Sequence, residues 1–230
     1  MKGFNPQGKP WTLENEHRSF PKFRGLSACI AQVHIYRRHS PWYTGTPMNT
    51  TITTGWLKFV IGWTAVFLFR LIPFRPPNFE PMLATIMPFS KRYGVVGSFL
   101  FGFLGIVLYD AVTSGWGIWT LVTSVCYGLL GVGAYFFFKN REATATHFVM
   151  FGVPSTVLYD AVTMMIGPLF NGQSFAAALI GQIPFTVMHL LGTIVFATLL
   201  SPALYRWVVQ NDVLEFSVLW MQVRSLIGTR

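Results

Sequence analysis

A chain of 230 residues that is 52% hydrophobic and only 11% charged, with 22 Phe and 8 Trp, falls far below the roughly one-quarter charged content of a soluble domain. This composition excludes an ordinary water-soluble domain and predicts an all-α integral membrane protein. The net charge of +9 does not mark a nucleic-acid binder, because the basic residues fall mostly between apolar segments, where they set topology and meet anionic lipid.

Residues 1–55 are polar, rich in Pro and Gly, and hold 7 of the 17 basic residues (Lys2, Lys9, Arg18, Lys22, Arg24, Arg37 and Arg38). No apolar run follows the first basic residue, so they do not read as a secretory signal. Met48 stands before "NTTITTGW", an ordinary opening for a membrane protein. The expectation for this region is a disordered cytoplasmic extension or an over-extended start. Cys29 lies within it and Cys126 in an apolar run; neither has ligand or disulfide spacing, and both read as structural.

Residues 56–208 form the expected membrane domain. A bilayer core of about 30 Å needs about 20 apolar residues in a helix. Six spans are predicted: 56–74, with Lys58 snorkelling at its start; a short, irregular 81–90 holding Pro81 and Pro88; then 93–113, 117–138, 146–169 and 175–204. Six spans put both termini on one side. The basic N-terminal region, Lys91 and Arg92, Lys139 and Arg141, and Arg206 then share one face, which the positive-inside rule makes cytoplasmic. Arg70 and Arg75, after the first span, are the exceptions. Residues 209–230 alternate apolar and polar side chains and read as an amphipathic cytoplasmic segment or a loosely ordered tail.

The heptapeptide VLYDAVT occurs at 107–113 and again at 157–163, and over 101–113 and 151–163 nine of thirteen positions are identical. Gly117 matches Gly167 and Gly131 matches Gly181 in the same register. Spans 3–4 and 5–6 therefore read as a parallel internal repeat of one helical hairpin, giving three hairpins in all. Gly102, Gly105 and Tyr109 share a face of span 3, as Gly152, Ser155 and Tyr159 do in span 5, and small residues there allow close helix approach.

Arg70, Asp110 and Asp160 are expected at similar depth near the outer surface. An intramembrane charge costs roughly 2.5–3.5 kcal/mol at the bilayer centre, so such residues find partners or face a wet cavity. The expectation is a salt-bridged cluster, an outward-facing pocket, or both. The loop "RLIPFRPPNFEP" adds Asn78, Phe79 and Glu80, the turn after span 3 adds Trp116 and Trp119, and the turn after span 5 adds Asn171 and Gln173. Rigid aromatics beside Arg, Asp, Asn and Gln suit a small-molecule site, in which Tyr109, Tyr159 and His189 are further candidates. His189, inside span 6, is expected to make a helix-to-helix hydrogen bond; with His147 it raises the alternative of a haem ligand. There is no Ser-His-Asp set, HExxH, P-loop or metal-ligand cluster, and no catalytic residue, metal or cofactor is assigned.

The segment "RLIPFRPPNFEPMLATIMPFSKRYGVVGSFLFGFLGIVLYDAVTSGWGIWTLVTSVCYGLLGVG" resembles S components, the substrate-binding membrane subunits of energy-coupling factor (ECF) transporters. The matching features are the Arg-Leu-x-Pro…Pro-Asn-Phe-x-Pro loop, the aspartate closing the third span, the aromatic-Gly turn after it and the Gly-rich fourth span. The resemblance covers about 150 residues after the N-terminal region. It implies six helices with cytoplasmic termini in a prokaryotic inner membrane. It also implies capture of a vitamin-like nutrient beneath a lid at Pro77, Asn78, Phe79 and Glu80, and partnership with a membrane coupling subunit and two ATP-hydrolysing subunits. One feature departs: the first span, "WLKFVIGWTAVFLFRL", lacks the Ala-x-x-x-Ala docking face common in S components, and Ser98-x-x-x-Gly102 lies on span 3 instead.

Three functions follow as expectations. In the first, the protein is a nutrient-binding transporter subunit, with Arg70 on an anionic group, Asp110 and Asp160 on an amine or hydroxyls, and Trp116 and Trp119 on a ring. In the second it is a ligand-free membrane scaffold or assembly protein. In the third it is a haem- or quinone-binding redox subunit using His189. None is an enzyme.

Overall fold

The computed structural model describes residues 52–113 and 115–216, together with Val218, Trp220 and Arg224. The expectations for residues 1–51, including the disordered extension, Met48 as a start and Cys29, lie outside them. The described residues form five α-helices: α1 (Ile52–Arg70), α2 (Met82–Thr113), α3 (Ile118–Phe138), α4 (Ala145–Asn171) and α5 (Phe175–Leu204). A π-helical turn (Tyr205–Val209) and a 3-10 turn (Asp212–Leu214) follow. No strand occurs among these residues.

The four helices from α2 onward are long and apolar enough to cross a membrane, the signature of a multi-pass membrane protein. Outward-facing positions carry apolar side chains, such as Leu158, Met165 and Leu169 on α4 and Ile180, Ile183 and Leu199 on α5. A surface as apolar as the interior suits lipid rather than water.

The expected second and third spans are the two arms of α2, which breaks at Gly94. Gly94 has φ 69° and ψ −174°, a conformation essentially reserved for glycine, and here the chain reverses. Phe89 stacks on Phe101 with ring centroids 4.3 Å apart, and Met82 lies against Gly105. In a straight helix residues 82 and 105 would stand about 34 Å apart. The first arm becomes a central post: every residue from 81 to 90 is buried.

Around this post the helices approach closely because their contact residues are small. A methyl group on Gly102 would stand 2.4 Å from the Tyr127 carbonyl oxygen, and one on Gly131 would stand 2.3 Å from that of Ser98. The second arm of α2 and α3 thus pack backbone against backbone. On the repeat's other copy, Gly152 faces Thr193 of α5.

The post also contains Pro88, which leaves the Ala84 carbonyl without its helical N–H donor. Ser201 of α5 fills the gap: its Oγ donates to Ala84 O at 2.7 Å, both residues being buried.

One end of the bundle gathers basic groups. Lys91 Nζ donates to the carbonyls of Phe138 (3.0 Å) and Arg141, joining the Gly94 turn to the end of α3. Arg92 pairs with Glu215 (2.9 Å) and Asp212 (3.2 Å). Lys58 does not snorkel as expected. It is fully buried, donating to Val209 O (3.1 Å) and pairing with Glu215 (3.5 Å). The start of the C-terminal segment is therefore docked on α1 and the α2 turn, with Phe216 against Trp56.

Replacing Ser201 by Ala should strand the Ala84 carbonyl and cost about 1–3 kcal/mol, read as a lower Tm in detergent. In a Pro88→Ala background, which restores the helical donor, the same replacement should cost much less. Equal losses in both backgrounds would show that the hydroxyl does not serve that carbonyl.

Candidate ligand site

At the opposite end the chain between α1 and α2 arches over the bundle. Asn78 has φ 62°, a left-handed conformation that Asn tolerates better than most residues, and this bend returns the chain into the post at Pro81. The arch brings Glu80 back to Arg70: Nε lies 3.4 Å from Glu80 Oε2. The Arg70 guanidinium also lies over the Tyr109 ring, 4.0 Å from its centroid, and its Nε and Nη1 are buried without a hydrogen bond to the described residues. Tyr127 donates to the other carboxylate oxygen, Glu80 Oε1, at 2.6 Å. Glu80 thus pairs with a cation through one oxygen and accepts from a phenol through the other.

Asp160 and His189 form a second polar pair, deep between α4 and α5. Asp160 Oδ1 and His189 Nδ1 are 2.8 Å apart, with side chains 2% and 4% exposed. Asp160 Oδ2 is buried and makes no hydrogen bond to the described residues. The His189 ring stands edge-on to Tyr159 (5.6 Å) and Phe185 (6.1 Å). The expected interhelical bond of His189 is present. His147 sits instead at the start of α4, bonded to Thr144 Oγ1 and Glu142 O. Thirteen residues of helix, about 20 Å, separate it from Asp160, so the two histidines do not face each other.

A cavity of about 620 Å³ opens beneath the arch, lined by Arg70, Arg75, Asn78, Glu80, Tyr159 and His189 among others. A second, of about 270 Å³, lies between the ends of α3, α4 and α5 and includes Trp119, Asn171, Gln173 and Gln182 in its lining. Tyr159 and Phe185 line both. Thus Arg70, Asn78, Glu80, Tyr159 and His189 meet at one cavity, and Trp119, Asn171 and Gln173 meet Tyr159 at the next.

The other expected site residues line neither cavity. Phe79 packs its ring on Phe69 and Phe196. Tyr109 lies under Arg70, and Asp160 sits one layer behind His189. Asp110 accepts from Thr120 Oγ1 at 2.6 Å, and Thr120 Oγ1 in turn accepts from the Gly117 N–H, so this aspartate ties the end of α2 to the first turn of α3. Trp116 is exposed, its indole N–H donating to Val107 O.

The two aspartates of the repeat therefore have different partners. The residue fifty positions before His189 is Lys139, and the one fifty after Thr120 is Phe170, so neither partner is duplicated. Sequence reasoning missed Phe185 and Gln182; the one available signal was Gln182 in a long uncharged stretch, with Thr186 one turn on to accept its amide (3.1 Å). Among the described residues no group of three or more His, Cys, Asp or Glu is arranged to hold a metal.

Asp160→Leu should strand the His189 ring and lower stability by about 1–3 kcal/mol, and His189→Leu should strand the carboxylate at similar or greater cost. The double variant should be less destabilised than the sum of the two singles. Simple additivity in thermal unfolding would show that the pair carries no coupling.

Comparison with known protein families, with characterised proteins and with solved structures finds no match to this chain.

Proposed function

We propose that the protein captures a small solute in the cavity beneath the 71–81 arch, as the substrate-binding subunit of an ECF-type uptake transporter. The observation that carries this reading is the cavity itself: about 620 Å³, within the usual 300–1,000 Å³ of small-molecule sites, with an arginine, a glutamate, an asparagine and a histidine converging on it.

In this reading the chain crosses a prokaryotic inner membrane six times, with the two arms of α2 as separate passes and the 101–138 and 151–204 hairpins as parallel repeats. The end bearing Lys91, Arg92, Lys139 and Arg141 faces the cytoplasm, in line with the positive-inside rule, and the cavity opens outward. The partners are a membrane coupling subunit and two ATP-hydrolysing subunits. A ligand-free scaffold is the second reading. It is favoured by one observation: Arg70 and Asp160 each have an internal partner, Glu80 and His189, so the polar groups also serve helix packing.

Mass spectrometry of small molecules released by denaturing the gently purified protein tests the reading. Wild type should release one metabolite at close to one per chain. Asn78→Gly, which holds the left-handed bend but removes the amide, should lower its occupancy only in part. Asn78→Val, strained there by roughly 1–2 kcal/mol, should lose it while the helical bundle stays folded. An empty wild type that no nutrient in a broad panel stabilises would favour the scaffold.

A further inference from the structure

Tyr159 and Phe185 line both cavities, so the two adjoin at these shared side chains. We propose that the two are chambers of one site, and that its occupant is an elongated molecule with an anionic group at one end and a neutral, planar, hydrogen-bonding group at the other. This rests on the capture reading above.

The charge balance of the first chamber sets one end. Glu80 is the single carboxylate in its lining, and it is shared between Arg70 and Tyr127. Asp160 answers any charge on His189 from behind. Among the described residues no carboxylate lies within 4.0 Å of Arg75; its Nε donates to the Arg70 carbonyl at 3.3 Å. The chamber thus holds one unmatched guanidinium, and a carboxylate or phosphate on the occupant would answer it.

The second chamber sets the other end. Its lining has no charged residue. The Asn171 and Gln173 amides are exposed and unpaired among the described residues, and Gln182 keeps its carbonyl oxygen after donating to Thr186. Trp119 offers a ring face. At about 270 Å³ this chamber falls below the usual range for a whole ligand, so it is an annex to the first. Tyr159, whose hydroxyl has no hydrogen bond to the described residues, belongs to the border the two chambers share.

The test measures ligand occupancy by mass spectrometry in wild type, Arg75→Gln and Gln182→Leu. Hippurate, an acid with an amide and a ring, and its neutral amide serve as added probes, read by thermal shift and tryptophan emission. Wild type should hold an acid. Each variant should retain the fold and lose about tenfold or more in affinity for it, the effect of one charge-assisted or buried hydrogen bond. Hippurate should stabilise where its amide does not, and its effect on emission should vanish in Trp119→Phe. A neutral or cationic occupant, or an acid lost in Arg75→Gln but indifferent to Gln182→Leu, would overturn the two-chamber site and leave solute capture standing. A phospholipid held one per chain would keep the site and overturn capture. No occupant and no response to hippurate would overturn both.

Discussion

Everything in this bundle depends on a helical segment buried on all sides. Along the first arm of α2, every residue from Met82 to Ser90 is buried, and the backbone groups there must be satisfied by protein alone. Pro88 breaks that self-sufficiency at Ala84, and Ser201 restores it from across the bundle. Thr85 and Ser90 turn their hydroxyls back onto the arm's own carbonyls, Met82 O and Ile86 O, so these two buried hydroxyls stay paired. The post can then be apolar where it meets its neighbours, with Phe59, Phe89 and Phe101 packed edge to face and stacked.

Lipid tails are as apolar as these helices, so packing has to come from shape and from polar contacts. The two are divided by position. Glycines at 102 and 131 let backbones touch in the middle of the bundle. Charges are kept to the ends: Lys58, Arg92 and Glu215 at one, Arg70 and Glu80 at the other. Asp160 and His189 are the exception, a titratable pair buried between α4 and α5. The same end that holds Arg70 and Glu80 holds the cavities, because there the helices are joined by an eleven-residue arch over 71–81 rather than by tight packing.

Much of this was legible in the sequence. Apolar runs marked α2 to α5 to within a few residues, and α5 starts and ends where its apolar stretch predicts. The glycine faces of 102 and 152, the interhelical bond of His189 and the meeting of Arg70, Asn78 and Glu80 at one end also followed from periodicity and spacing. What stayed hidden depends on distance along the chain. Glu80, not an aspartate, answers Arg70, because the left-handed bend at Asn78 turns the arch back. Lys58 finds its partner 157 positions away, and no local pattern announces that. The repeat was misleading in one respect: identical heptapeptides suggested equivalent aspartates, but the residues that meet them lie outside the repeated letters.

The central post also fixes an order of assembly. Its first arm, 82–93, is about 18 Å of helix, well short of a bilayer core of about 30 Å. During synthesis it leaves the ribosome long before its companions, since Ser201 lies 117 residues downstream of the carbonyl it serves. Until α5 arrives, the arm has an unanswered backbone oxygen and no complete wall around it. The oldest part of the core is therefore the last to be finished. Shortening the chain before Ser201 would leave Ala84 O without its donor, so a loss on the C-terminal side would be felt in the central post.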